Sequence, residues 1–398
     1  MNQNVFFPEG LIMSAWKRFL IACLTVGLLL PCFFQAPASA VETEGVALSA
    51  QSAVLIEAES GDVILNQSAH LPLPMASTTK IMTALVALEL ASPETKITVD
   101  ASAVGVEGSS IYLIENEQLT LEQLLYALLL ESANDAAVAI AIGLCGSVES
   151  FADEMNRKAT ELGLKQTHFT NPHGLDHEEH FTTAYELAMI TRAALQNQLF
   201  EQIVSTRKTT IPHAGIAGNR LLVNHNKLLR MYDGCIGVKT GFTKRSGRCL
   251  VSAAERDGVT LIAVTLNAPD DWNDHSSLFD YGFTRYESVV LCEQEEFLFP
   301  LSLVSGTDQY VMLCNDTALR VTLPADHGKI FKTVELARFE YAPIAKGEVL
   351  GCVVYRCDSD GDGDTEIIGK INLTACYSVE KQQVKRSFWQ WLLDLLGF

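Results

Sequence analysis

Ser77 and Lys80 stand three residues apart, in "PLPMASTTKIMTAL". On a helix that spacing puts both side chains on one face, one turn apart. A serine with a lysine so placed is a nucleophile with its own base, provided the lysine is neutral. The four-residue pattern alone does not decide this, because Ser-x-x-Lys also occurs at Ser14–Lys17, Ser205–Lys208 and Ser378–Lys381. Two further short motifs follow the Ser77 copy in order: Ser132-Ala-Asn134 and Lys239-Thr240-Gly241. Together they offer hydroxyls, amides and two cations, the kit for acyl transfer.

Such groups need rigid elements to hold them. The stretch from about Ser77 to Ala91 is periodic as a helix and apolar on nearly every side through Ile81, Met82, Ala84, Leu85, Val86, Leu88 and Leu90. A helix of that kind belongs in a core. Ser77 then sits at its start, where N–H groups and the dipole favour negative charge. "TLEQLLYALLLESANDAAVAIAIGL" predicts a helical region interrupted at Ser132–Asn134, and further helices are expected at 149–162 and 183–198. "AVLIEAESGDVILNQ" reads as two strands around a Ser-Gly-Asp turn. "CIGVKTGFT", "RCLVSAAE" and "TLIAVTLNA" read as three antiparallel strands, with Lys239-Thr240-Gly241 on the first, and "SSLFDYGFTRYE" as a closing helix. Residues 41–288 are therefore expected to form an α+β catalytic domain, an antiparallel sheet with helices. From 289 to 381 short alternating segments predict a small all-β sandwich domain.

The 398 residues carry a net charge of −19. So acidic a chain has no general electrostatic reason to bind nucleic acid. Residues 1–40 have the layout of a signal peptide: Lys17 and Arg18, the apolar "FLIACLTVGLLL", and small residues up to Ala40. Met13 is an alternative start giving more usual proportions. The leader accounts for Ser14–Lys17, and neither Ser205–Lys208, at a β-branched strand start, nor Ser378–Lys381 opens an apolar helix. At the other end, residues 382–398 contain "KRSFWQWLLDLLGF", an amphipathic helix too short to span a bilayer and suited to its surface. The protein is thus expected to be exported and held on the outer face of the cytoplasmic membrane, against the cell wall. Eight cysteines follow the leader without a metal-binding spacing; Cys352 and Cys357 are close enough in sequence to raise the question of a disulfide. "DSDGDGDTE" from Asp358 resembles the start of a calcium loop but has Gly369 where the loop requires glutamate, so a tight acidic turn is expected. His177 and His180 read as solvated loop residues, His173 as part of a cleft-side loop, and no metal or other cofactor is expected.

The ordered triple resembles the active-site set of the penicillin-binding proteins and serine β-lactamases. The flanks "LLLESANDAAVAIA", "THFTNPHGLDHEEHFTTAYELAMI" and "NHNKLLRMYDGCIGVKTGFTKRSGRCLVSAAERDGVTLIAV" narrow the match to the D-alanyl-D-alanine carboxypeptidases, the low-molecular-mass penicillin-binding proteins. The resemblance implies a substrate, the peptidoglycan pentapeptide stem, and β-lactams as covalent inhibitors. It implies that Ser77 attacks the carbonyl between the last two D-alanines, that Lys80 takes the proton, and that Ser132 relays it to the leaving amine. Asn134 would hold Lys80 and the substrate amide. Lys239 and Thr240 would receive the terminal carboxylate. Gly241 would let backbone approach closely, and the N–H groups of Ser77 and Phe242 would form the oxyanion hole. Some family members use an arginine shortly after the third strand for the carboxylate; here Asp270, Asp271 and Trp272 occupy that stretch, and Arg245 and Arg248 are the candidates to replace it.

Two other readings compete. A class A-like β-lactamase would need a carboxylate base on a loop between Ser132 and Lys239, and no Glu-x-x-x-Asn loop is found there. A catalytically slow β-lactam-sensing or wall-binding protein would keep the fold and the motifs without rapid turnover.

Overall fold

The computed structural model describes residues 45–214, 218–358, 363 and 365–383. The stretches expected to be a leader and an amphipathic tail (the latter from 384 onward), and most of the acidic segment after Asp358, lie outside the described residues.

The frame of the N-terminal part is a five-stranded antiparallel sheet. It is built from β1 (Ser52–Glu57), β2 (Val63–Gln67), β7 (Cys235–Thr243), β8 (Gly247–Arg256) and β9 (Val259–Leu266). The order across the sheet is β2-β1-β9-β8-β7. Alternation along each strand loads both faces. Val54, Ile56, Val251 and Val264 point into the larger core, while Leu55, Leu250, Leu261 and Ala263 point into a second one. Two ribbons, β3 (Lys96–Thr98) with β4 (Gln118–Thr120) and β5 (Lys208–Pro212) with β6 (Asn219–Val223), flank this frame.

The larger core is helical. A 3-10 turn, Ala76–Thr79, runs directly into α1 (Lys80–Leu90), whose residues from Lys80 to Ala87 are all buried. Then come α2 (Leu121–Leu130), α3 (Asn134–Cys145), α4 (Val148–Glu161), α5 (Ala184–Leu195) and α6 (Gln198–Ser205). Thr120 and Gln123 form a capping box that fixes where α2 begins. Helix α2 stops at Leu130 and α3 starts at Asn134, so Ser132 lies in the break. A short turn of helix, α7 (Leu228–Met231), precedes β7, and α8 (Asp271–Phe283) covers the second face of the sheet through Leu278 and Phe279. Ser205 ends α6 and Lys208 begins β5, so that Ser-x-x-Lys pair bridges a helix end and a strand rather than one face of a helix.

The C-terminal part is all β: β10 (Tyr286–Cys292), β11 (Leu298–Val304), β12 (Tyr310–Cys314), β13 (Leu319–Pro324), β14 (Lys329–Leu336), β15 (Glu340–Tyr341), β16 (Val349–Asp358) and β17 (Glu366–Ala375). Six of these form one sheet in the order β14-β16-β17-β12-β11-β15, and β10 pairs with β13 as a separate ribbon. Leu291 and Leu319 of the ribbon lie against Gly369 of β17, where an added Cβ would stand 3.0 Å from each. Cys292, Val311, Leu313, Val353 and Leu373 form the core between the layers.

Candidate active site

The 3-10 turn and α1 bring Ser77 and Lys80 together as their spacing suggests: Lys80 Nζ lies 2.9 Å from Ser77 Oγ. Two more acceptors surround the same nitrogen, Asn134 Oδ1 at 2.7 Å and the His173 carbonyl at 2.6 Å. A neutral amine has two N–H donors and one lone pair. In that form the two carbonyl-type acceptors can take both donors, and the lone pair then faces the Ser77 hydroxyl. Lys80 is fully buried, and that burial, reinforced by the charge of Lys239, holds its pKa well below the ordinary lysine value; Asp135 opposes the shift.

Asn134 is the first residue of α3 and is itself held from outside. Its Nδ2 donates to the Glu107 carbonyl at 2.6 Å, which fixes the amide with Oδ1 toward Lys80. Next to it, buried Asp135 accepts from Ser110 Oγ at 2.6 Å and from Leu113 N at 3.0 Å. Helix α3 thereby anchors the 107–113 loop beside the site.

The loop after α4 contributes more than its sequence announces. Thr83 Oγ1 donates to the Pro172 carbonyl at 2.6 Å, next to the His173 carbonyl on Lys80. Gly174, at φ +89°, packs so tightly on the serine turn that an added Cβ would stand 1.9 Å from the Ala76 carbonyl oxygen. His180 is buried, not solvated as its polar sequence neighbourhood suggests. Its Nδ1 accepts from Thr170 N at 3.0 Å, so Nε2 carries the proton and donates to Thr79 Oγ1 at 2.8 Å. Thr79 Oγ1 donates in turn to the Ala76 carbonyl at 2.8 Å. Burial lowers the His180 pKa to about 3, so the ring stays neutral.

Lys239, Thr240, Gly241 and Phe242 lie on β7, the edge strand of the sheet. Gly241 does permit a close approach, and the structure identifies its partner as the serine turn. A Cβ there would meet Met75 O at 3.1 Å and Ser77 N at 3.1 Å. Thr243 N–H turns inward to Ser246 Oγ at 3.0 Å. By the alternation of an antiparallel strand, Phe242 N–H then points to the unpaired edge, on the side of Ser77. Lys239 is only 1% exposed and donates to the Thr240 carbonyl at 2.7 Å. Burial brings its pKa down to about 7. It stands behind the cleft rather than on its wall.

The cleft itself encloses about 380 Å³ and is lined by Ser77, Ser132, Thr240, Phe242, Arg248 and Trp272, among others. Of the two candidate arginines, Arg248 is the one that lines the cleft. It donates to Asp271 Oδ1 through Nε at 3.0 Å and Nη2 at 2.8 Å, with its guanidinium 5.5 Å from the Trp272 ring centre. Asp271 and Trp272 together thus hold the Arg248 side chain, which comes from β8. Arg245 is exposed and off the cleft wall.

Three of the ten described non-glycine residues with positive φ fall at or beside the motif residues. Ala76 (φ +48°) precedes Ser77, Ser132 itself is at φ +60°, and Val238 (φ +145°) precedes Lys239. Each costs energy that only surrounding structure can sustain.

The chain has known relatives. The family model described as D-alanyl-D-alanine carboxypeptidase matches residues 38–270. The D-alanyl-D-alanine carboxypeptidase DacF of Bacillus subtilis is 31% identical over 366 residues, 88% of this chain and 93% of its own. Among solved structures, penicillin binding protein 5 of Haemophilus influenzae aligns over 84% of this chain and 99% of its own, with a TM-score of 0.63 and 27% identity. A D-alanyl-D-alanine carboxypeptidase of Mycobacterium tuberculosis aligns over 61% and 94%, with a TM-score of 0.57 and 33% identity. With its sheet, its motif order and these relatives, the chain belongs to the D-alanyl-D-alanine carboxypeptidase family of serine peptidases.

Proposed function

We propose that this protein removes the terminal D-alanine from peptidoglycan pentapeptide stems through an acyl-enzyme on Ser77, and that β-lactams acylate the same serine. The observation that carries the reading is the contact of Lys80 Nζ with Ser77 Oγ in a buried setting that lowers the lysine pKa, with Asn134 Oδ1 and the His173 carbonyl able to take both N–H groups of the neutral amine. Neutral Lys80 takes the Ser77 proton as Oγ attacks the carbonyl between the two D-alanines. The oxyanion forms at the N-terminus of the helical turn, between the N–H groups of Ser77 and Phe242. Ser132, on the cleft wall, passes the proton to the departing amine. The D-alanine carboxylate meets Thr240 and the Arg248 guanidinium, with the buried charge of Lys239 behind them. Water then hydrolyses the ester, with Lys80 again serving as base. The leader and the amphipathic tail support an extracytoplasmic site of action at the membrane surface. Truncation after Lys381 tests that part: the protein should leave the membrane fraction and keep its penicillin binding. Release of D-alanine from a disaccharide pentapeptide tests the activity. The wild type should release it and Ser77→Ala should not; release by Ser77→Ala at the wild-type rate would overturn the proposal.

A further inference from the structure

Eight cysteines lie among the described residues, all as free thiols. The pair raised by the sequence, Cys352 and Cys357, cannot join. They share one strand, β16, five residues apart, or about 16 Å, and Cys352 Sγ is engaged with Glu335 Oε2 at 3.4 Å. A different pair stands together. Cys314 ends β12 and Cys376 directly follows the last residue of β17. The two sulfurs are 2.9 Å apart.

The ladder between the strands sets this meeting. Leu313 pairs with Ala375 and Cys314 with Thr374, and Cys376 N–H donates to the Met312 carbonyl at 2.9 Å. The Thr374 hydroxyl donates to Asp316 Oδ2 at 2.8 Å, with the Cys314 carbonyl 3.3 Å away as a weaker second acceptor of the same proton. The cysteines are thus diagonal cross-strand neighbours held by backbone and side-chain bonds. Moving the sulfurs from 2.9 Å to a bond length of about 2.05 Å takes less than an ångström of side-chain rotation. Both residues are half-exposed, so an oxidant can reach them.

We propose that Cys314 and Cys376 are a disulfide site that staples β12 to the end of β17, where the chain leaves the sheet toward its C-terminus. The oxidant is a protein or small-molecule disulfide. The thiolate of one cysteine attacks it, forms a mixed disulfide and releases one thiol. The second cysteine, deprotonated, then attacks the mixed disulfide and displaces the other thiol. Two protein thiols thereby lose two protons and two electrons, and the oxidant becomes two thiols. The thiol–thiol contact with Cys376, together with burial and the charges of Cys376, Asp316 and Glu295, raises the Cys314 pKa to about 11, so exchange is slow unless catalysed. The site is independent of the peptidase reading, since neither cysteine lines the cleft.

The test uses the full chain, incubated with oxidised glutathione, alkylated unfolded without reductant, and mapped by peptide mass. The expected result is a peptide containing Cys314 joined to one containing Cys376, with the intact mass lowered by about 2 Da. The melting temperature of the oxidised protein should fall by several degrees on reduction. Cys314→Ser should lose the joined peptide and the redox dependence of melting. Full alkylation of both thiols after oxidation, separate glutathione adducts on each, or a joint between either one and another cysteine would overturn the proposal.

Discussion

Gly174→Ala probes the contact between the 171–175 loop and the serine turn. The new methyl would stand 1.9 Å from the Ala76 oxygen and 2.4 Å from its carbonyl carbon. Reaching even 3.0 Å requires the loop to retreat by 3.0 − 1.9, about 1.1 Å. If that retreat runs along the bond from His173 O to Lys80 Nζ, the bond lengthens from 2.6 Å to about 3.7 Å and is lost. Lys80 then keeps an N–H without an acceptor, and its lone pair is no longer directed at Ser77. A misplacement of this size costs about 100-fold in acylation rate. The φ of +89° adds strain of about 1–2 kcal/mol for alanine, read as a lower melting temperature. Stopped-flow acylation by a fluorescent penicillin gives the rate and calorimetry the stability. A variant that melts earlier yet acylates within about threefold of wild type would show that the loop carbonyl does not orient Lys80.

Three other outcomes follow from the same geometry. Acylation should be bell-shaped in pH: it is lost at low pH as Lys80, whose pKa is depressed, takes up a proton, and it declines as pH rises through about 7, where Lys239 gives one up. A rate that stays flat from pH 7 into the alkaline range would remove Lys239 from the account. Arg248→Ala should lower kcat/KM for a D-alanyl-D-alanine peptide about 10- to 100-fold, the worth of a charge-assisted hydrogen bond, and should affect an analogue without the terminal carboxylate far less; equal losses on both would contradict a carboxylate role. Arg220→Ala should destabilise by about 3–5 kcal/mol in denaturant melts, because it leaves Glu117 buried and unpaired; a loss under 1 kcal/mol would mean that water reaches the carboxylate.

Much of the site is legible in the sequence because local rules place it. An all-round apolar segment must be a buried helix, so a lysine in its first turn must be buried with it, and Lys80 is. The break at Ser132–Asn134 is legible because such residues favour helix ends over helix interiors. The three strands of "CIGVKTGFT" and its successors follow from their period of two. The rest depends on partners far away in the chain. His180 looks solvated beside two glutamates, yet the fold brings Thr79, 101 residues earlier, to its Nε2. Arg248 acquires its place only through Asp271, 23 residues later. Cys314 and Cys376, 62 residues apart, meet through strand register, which no spacing rule reveals. The positive φ values at Ala76, Ser132 and Val238, at or beside the motif residues, also break local preference, a conflict between levels of the kind expected at active sites.

The central claim is that Ser77 is the nucleophile, activated by a neutral Lys80. It is tested most directly by mass spectrometry of the full chain after brief exposure to benzylpenicillin, with peptide mapping of the adduct. The account predicts one penicilloyl group, carried on Ser77, and none in Ser77→Ala or, on the same timescale, in Lys80→Ala. An adduct on Ser132, Ser205 or Ser378, or undiminished acylation of Lys80→Ala, would contradict it.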